Sequence, residues 1–262
     1  MSAITVTIIS LCIIFAGTTL GSALVFFFKK SFSDKTSNII LGLASGIMIS
    51  AAIFGLLLPS IEQGKSIYNN LAVLPVVGGF ILGGLFLTLI DLLVPHFHKH
   101  SGEEEGLDSK LSNQTKFFLG VTIHNIPEGL AVGFACGMAL STNNNALIFS
   151  ALSLAIGITI QNFPEGAAVS IPLLEENVSK GKAFTYGALS GSVEPIFGLI
   201  GVFISTQLAI FLPWLLAFAA GAMFYVTIDE LIPSSRKGNH GHYGLWSFMI
   251  GFCVMLVLEL VL

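Results

Sequence analysis

The stretch His124-Asn125-Ile126-Pro127-Glu128-Gly129 and the stretch Gln161-Asn162-Phe163-Pro164-Glu165-Gly166 repeat one pattern within two separate apolar segments. On a helix, steps of about 100° per residue place the first, second and fifth residues of each stretch within one arc of about 100°. Each segment therefore offers one polar stripe and one apolar face. Because the two segments are consecutive, we expect antiparallel helices whose polar stripes face each other.

The composition identifies the environment of these helices. The chain has 262 residues, of which 54% are hydrophobic and 10% charged, and its mean hydropathy is +0.87. A soluble domain carries about 25% charged residues, so a soluble enzyme, a disordered chain and a nucleic-acid binder are excluded. The three cysteines lie singly in apolar runs and predict no disulfide framework. The sequence predicts an all-α polytopic membrane protein.

Eight apolar segments approach the roughly 20 residues that cross a bilayer. We expect one transmembrane domain over 1–262, an eight-helix bundle in which the boundary between the sixth and seventh spans is marked only by Leu212-Pro213. The first span has no basic segment before it and is interpreted as a retained helix. The predicted spans are 3–28, 38–61, 72–95, 115–139, 146–173, 183–209, 211–233 and 243–262.

The basic residues predict the orientation of the spans. Ten of the 11 Lys and Arg residues fall in the segments after spans one, three, five and seven, and only Lys65 falls on the other side. The positive-inside rule places the odd-numbered loops in the cytoplasm. We therefore expect an integral plasma-membrane protein with both termini outside and a His- and Glu-bearing cytoplasmic loop at about 96–114.

Three glutamates interrupt apolar spans at one depth. Glu128 follows Lys116 by 12 residues, Glu194 follows Lys182 by 12, and Glu165 precedes Glu175 by 10. At about 1.5 Å per residue these separations give depths of about 15–18 Å, near the middle of a core about 30 Å thick. A charged side chain there costs about 2.5–3.5 kcal/mol on insertion scales, so each marks a candidate functional site.

Prolines and ligand chemistry indicate what this site binds. Pro127, Pro164 and Pro195 each lack an N–H and are expected to free the carbonyl groups of Ile123, Ile160 and Gly191. Freed carbonyls inside a membrane line a polar cavity. Imidazole, carboxylate and carboxamide groups together favour a divalent first-row metal. A proton relay and a purely structural polar cluster are the alternatives.

HNIPEG and QNFPEG resemble the paired signature of the ZIP (Zrt/Irt-like) metal transporters, with the bacterial, GufA-like branch the nearest pattern. GSVEP in span six and YVTIDELIP in span seven also resemble segments of that family. The resemblance implies the ZIP fold and a two-metal site at mid-membrane. By position, one metal is expected on His124, Glu128, Gln161, Glu165 and Glu194, with Met48 as either a further ligand or core packing, and the second on Asn125, Glu128, Asn162, Glu165 and Glu194.

Two substitutions depart from the family pattern. Asn162 replaces an aspartate of some relatives, which lowers the negative charge of the second position. Gln161 replaces a histidine of many relatives, which makes the first position less rich in nitrogen. Outside the motifs, Asp91, His96 and Glu230 are candidates for a cytoplasmic exit, with solvated helix ends as the alternative.

The expected function is import of Zn²⁺, and of iron, manganese or cadmium as further candidates, by alternating access. The protein is expected not to be an enzyme and to carry no prosthetic group; its partners are divalent metal ions and the lipid bilayer, with no nucleic acid. A homodimer is one option for its assembly. The alternatives are an intramembrane metal-dependent hydrolase or protease, and a selective cation channel.

Overall fold

The computed structural model describes residues 1–28, 32–98, 103–142, 144–174, 178–236, 238 and 242–262. Helices make up nearly all of this part of the chain, and a short antiparallel hairpin pairs β1 (His96–His98) with β2 (Glu103–Glu105). The helices are α1 Ala3–Ala23, α2 Asp34–Ser50, α3 Leu58–Tyr68, α4 Val73–Leu93, α5 Asn113–Thr142, α6 Asn145–Ser170, α7 Lys180–Ser190, α8 Val193–Gln207, α9 Leu212–Val226, α10 Ile232–Ser234 and α11 Tyr243–Val261.

Within the described residues, seven helical stretches are long and apolar enough to cross a membrane. Helix α5 is not among them, but its 30 residues span about 45 Å at 1.5 Å per residue, which exceeds the hydrocarbon core. The predicted all-α polytopic membrane fold is confirmed. The seven stretches are Ala3–Phe26, Asp34–Leu71, Val73–Leu93, Asn145–Leu174, Lys180–Gln207, Ala209–Ser234 and Tyr243–Val261.

The second span is longer than predicted. The polar segment after residue 61 was expected to be a loop, but α2 continues through the π-helical turn Ala51–Leu57 into α3 and a 3₁₀ turn that ends at Leu71. Its glutamate, glutamine and lysine are good helix formers, so the helix continues past the apolar segment. It turns at Asn69, whose φ of 49° suits asparagine better than most residues.

The sixth span is interrupted, which the sequence analysis did not predict. Helix α7 ends at Ser190 and α8 begins at Val193. The carbonyl of Gly191 was expected to be left unpaired by Pro195, but it accepts a hydrogen bond from the Glu194 N–H at 3.1 Å. Because the chain starts a new helix here, Pro195 falls in a first turn, where its missing N–H removes no helical bond.

The boundary between spans six and seven lies a few residues before the predicted one. Helix α8 ends at Gln207, the 3₁₀ turn Ala209–Phe211 follows, and α9 begins at Leu212. Pro213 falls in the first turn of α9, where proline is favoured. Proline therefore marks the start of the seventh span rather than the end of the sixth.

Four helix pairs make the most extensive contacts, namely α1 with α6, α5 with α8, α2 with α11, and α4 with α9. Glycines four residues apart, Gly17 and Gly21 on α1 and Gly133 and Gly137 on α5, lie in these contacts. A Cβ atom at Gly21 would collide with the Phe163 carbonyl oxygen on α6, and one at Gly133 would collide with the Gly198 carbonyl oxygen on α8. Glycine thus lets each helix of the paired motif pack closely on a neighbour through backbone contacts, α6 on α1 and α5 on α8.

Candidate metal centre

The paired motifs lie in the interiors of α5 and α6, and their polar side chains are buried. Asn125, Gln161 and Asn162 are fully buried, and Glu128 is 1% exposed. Each helix runs through its proline, Pro127 or Pro164, without a break. The two polar stripes therefore meet inside the bundle, as the spacing predicts.

Gln161 joins the two motif helices. Its Nε2 donates to Glu128 Oε1 at 2.5 Å and to its neighbour Asn162 Oδ1 at 2.6 Å. A buried polar atom without a hydrogen-bond partner is costly. The carboxamide therefore satisfies one Glu128 oxygen that the membrane interior would otherwise leave without a partner.

Glu194 is held from two sides by donors on other helices. Thr18 Oγ1 of α1 donates to Glu194 Oε1 at 2.8 Å, and Asn162 Nδ2 donates to Glu194 Oε2 at 2.6 Å. The same Asn162 Nδ2 also donates to the Ile14 carbonyl at 3.2 Å. Glu194 thus ties α1, α6 and α8 together at the level where α8 begins.

Three buried oxygens of the site have no hydrogen-bond partner among the described residues. They are Asn125 Oδ1, Glu128 Oε2 and Gln161 Oε1. Asn125 is itself fixed, because its Nδ2 donates to the Ser190 carbonyl at 3.0 Å. An unpaired buried acceptor costs about 1–3 kcal/mol, and all three oxygens are groups that bind cations.

His124 pairs with an acidic residue that the sequence analysis assigned to the exit path. Its Nδ1 forms an ion pair with Glu230 Oε2. Glu230 lies in the π-helical turn Thr227–Leu231, near the end of the seventh span. A π turn inserts a residue into the helical ladder and is common at functional sites. This turn puts Glu230 beside the first motif.

A cavity of about 50 Å³ adjoins this pair. Met48 is 1% exposed, and its sulfur accepts a weak hydrogen bond from Thr227 Oγ1 at 3.7 Å. Met48 therefore faces the candidate site, and its role as a ligand stays a prediction. The cavity is lined by Leu41, Met48, Val121, His124, Glu128, Glu165, Ala168, Val169, Val226, Glu230, Leu231 and Ser234.

Asp91 and His96 are buried rather than solvated at the end of α4. They are 5% and 1% exposed, and His96 Nε2 lies 3.7 Å from Asp91 Oδ1. His96 Nδ1 contacts the Val94 carbonyl at 2.8 Å. The two residues form a separate polar pair beyond the cavity lining. The histidine at position 100 in the predicted cytoplasmic loop lies outside the described residues.

The binding of one ion by all three glutamates stays a prediction. In the described part of the chain, no group of three or more His, Cys, Asp and Glu side chains is close enough to hold a metal ion. Carboxamides separate the carboxylates instead. Gln161 engages Glu128, Asn162 engages Glu194, and Glu165 lines the cavity with His124.

Thr18 is the residue of this centre that the sequence analysis missed. It is fully buried and bonds Glu194, yet it belongs to no motif. Its only signal in the sequence is its place beside Gly17, within the Gly17/Gly21 spacing. Such spacing is common in membrane helices and does not by itself single out a hydroxyl.

A helical bundle that buries imidazole, carboxylate and carboxamide groups between helices of membrane-spanning length is a polytopic membrane protein with a buried polar site. Comparison with known proteins gives its family. The family model described as "ZIP Zinc transporter" matches residues 100–259. The chain belongs to the ZIP zinc transporter family.

Relatives match over nearly the whole chain. Zinc transporter ZIP11 of Homo sapiens is 34% identical, and the alignment covers 92% of this chain and 93% of that protein. Zinc transporter GufA of Myxococcus xanthus is 37% identical, with 94% and 95% covered. Zinc transporter ZIPB of Bordetella bronchiseptica is 32% identical, with 94% and 77% covered.

Family membership confirms the recognition made from the paired motif. It also confirms the expectation that the protein is a membrane transporter and not an enzyme. The alternative of an intramembrane hydrolase or protease is not supported.

Proposed function

We propose that this protein imports Zn²⁺ across the plasma membrane into the cytoplasm, with iron, manganese and cadmium as further candidate cargoes. Three similar proteins carry the name zinc transporter, and the whole chain is taken as one transport domain with both termini outside. The observation that carries the proposal is the set of three unpaired acceptor oxygens, on Asn125, Glu128 and Gln161, buried beside His124. Oxygen and imidazole ligands suit Zn²⁺.

The proposed transport site is binuclear and follows the paired motif. The first position uses His124, Glu128, Gln161, Glu165 and Glu194, with Met48 as an additional ligand, and the second uses Asn125 and Asn162 with the same glutamates. Asp91, His96 and Glu230 line the proposed route to the cytoplasm. The His124–Glu230 ion pair supports a continuous path between the site and that route.

Transport is proposed to proceed by alternating access. Helices α5 and α6 carry the motif, and α1 and α8 pack tightly on them through glycine contacts. The other tight pairs are α2 with α11 and α4 with α9. Two such sets can move against each other as bodies, with the motif residues and Glu194 in one set and Met48 of α2 in the other.

The test is Zn²⁺ uptake into proteoliposomes, with the pH varied on each side. Glu128→Ala and Glu165→Ala each remove a carboxylate offered to both positions, so we expect uptake to be abolished while both variants still insert. Asp108→Ala is the control, because Asp108 is an exposed carboxylate in a loop. If either motif variant keeps more than about half of the wild-type uptake, the site assignment is wrong. A flux that never saturates with Zn²⁺ supports the channel alternative.

A further inference from the structure

Thr18 is an uncharged residue in direct contact with the charged part of the proposed site. Its hydroxyl donates to Glu194 Oε1 at 2.8 Å, across 176 residues of sequence. A threonine hydroxyl in a membrane helix commonly bonds the carbonyl four residues earlier in the same helix, as Thr7 does with Ala3. The Thr18 hydroxyl instead donates to a carboxylate on another helix.

The surroundings of Thr18 fix this direction. A Cβ atom at Gly191 would lie 2.6 Å from the Thr18 Cβ, and one at Gly166 would collide with the Thr18 carbonyl oxygen. That carbonyl also accepts a bond from Ser22 Oγ at 2.8 Å. The backbone and Cβ of Thr18 are therefore held closely between α6 and the break that precedes α8.

The Thr18 hydroxyl orients Glu194 and occupies only one of the lone-pair positions of its carboxylate. A carboxylate has about four lone-pair positions on its two oxygens, and Thr18 takes one on Oε1 while Asn162 takes one on Oε2. The remaining positions stay available to a cation. Protein groups that hydrogen-bond to a ligating carboxylate set its orientation, and their loss costs about 10–100-fold in metal affinity.

We propose that Thr18 is a positioning residue of the transport site, which holds the Glu194 carboxylate in the orientation that a divalent cation requires. The inference rests on the proposed function and concerns the cation affinity of the positions that use Glu194. Asn162 contributes the matching bond from α6, so that Glu194 is oriented from both sides.

The experiment compares three variants of the full-length protein. Thr18→Val keeps the shape and removes the hydroxyl, whereas Thr18→Ser keeps the hydroxyl. Thr19→Val is the matched control, because the Thr19 hydroxyl has no hydrogen-bond partner among the described residues. Calorimetric titration with Zn²⁺ is expected to show affinity about 10–100-fold weaker in Thr18→Val and near the wild-type value in the other two. Uptake by Thr18→Val is expected to show a raised KM.

A double-mutant cycle separates positioning from packing. In a Glu194→Gln background, the carboxylate is gone, so Thr18→Val should cause little further loss of Zn²⁺ affinity. If Thr18→Val fails to insert, Thr18→Cys provides the comparison, because a thiol is only a weak donor.

Three results would overturn the inference. They are wild-type affinity in Thr18→Val, equal losses in Thr18→Val and Thr18→Ser, and fully additive losses in the cycle. A wild-type protein that neither binds nor transports Zn²⁺ would refute the proposed function itself, together with the inference that rests on it.

Discussion

Replacing Asn162 with aspartate tests how the second metal position works. The Asn162 amide now donates to Glu194 Oε2 at 2.6 Å and to the Ile14 carbonyl at 3.2 Å. An aspartate can donate neither bond. It also puts a second carboxylate oxygen at the place where a donor has been, directly against Glu194.

The expected changes in stability and in Zn²⁺ affinity follow from that geometry. A hydrogen bond to a charged group contributes about 1.5–3 kcal/mol and one to a neutral carbonyl about 1 kcal/mol. Two carboxylates about 3 Å apart would repel by about 5.5 kcal/mol at an effective dielectric constant of about 20. Without metal, we expect Asn162→Asp to lower the free energy of unfolding by at least about 2 kcal/mol. A dication between the two carboxylates reverses the sign of the charge interaction, so Zn²⁺ affinity at this position should rise at least tenfold.

The assay is calorimetric titration of the purified protein with Zn²⁺, together with thermal unfolding at zero and saturating Zn²⁺. Asn162→Ala is the matched control, since it loses the same two hydrogen bonds and adds no charge. We expect saturating Zn²⁺ to restore the stability of Asn162→Asp to the wild-type level but not that of Asn162→Ala. The Asn162→Ala variant should still bind one metal ion with near-normal affinity and show reduced but measurable transport. If Zn²⁺ stabilises the two variants equally, the reasoning about this position is wrong.

Two further predictions concern the first position and the topology. His124→Ala should weaken Zn²⁺ binding in calorimetry more than Asn162→Ala does, because it removes the imidazole that suits zinc; the order of the two sites is reversed if Asn162→Ala alone eliminates binding. In a background without native cysteines, a cysteine in the loop 143–145 should react with an impermeant reagent added outside, and a cysteine near Glu104 should not; the opposite labelling would contradict the orientation drawn from the basic residues.

The paired motif could be predicted in detail because two strong constraints act on it. The membrane makes a mid-helix carboxylate costly, and helical periodicity fixes which neighbours share its face. His124, Asn125 and Glu128 therefore had to point toward a partner helix with complementary groups. The burial of Glu128 at 1% exposure and its bond to Gln161 agree with that reasoning.

Other features escaped the sequence analysis because they depend on contacts between distant segments. The position of Glu230 beside His124 depends on a π turn, and no residue pattern in the chain specifies where such a turn falls. At the break before Glu194, Gly191 packs so closely against Thr18 of α1 that a Cβ atom there would collide with it. Predictions from helix length and hydropathy treat each span alone, so they missed the extension of span two to Leu71 and the break inside span six.

Carboxamides at positions 161 and 162 suit a transport site, because such a site must be stable both with and without a bound cation. Each carboxamide carries a donor and an acceptor on one planar group. The N–H groups of Gln161 and Asn162 now face the carboxylates of Glu128 and Glu194, while Gln161 Oε1 has no partner among the described residues. Rotation of such a group exchanges its two ends, so that the oxygen can face a cation when the carboxylates bind one. An ionised aspartate has no donor to offer when no cation is bound, and for that reason the stability of Asn162→Asp should depend on Zn²⁺ more steeply than that of the wild type.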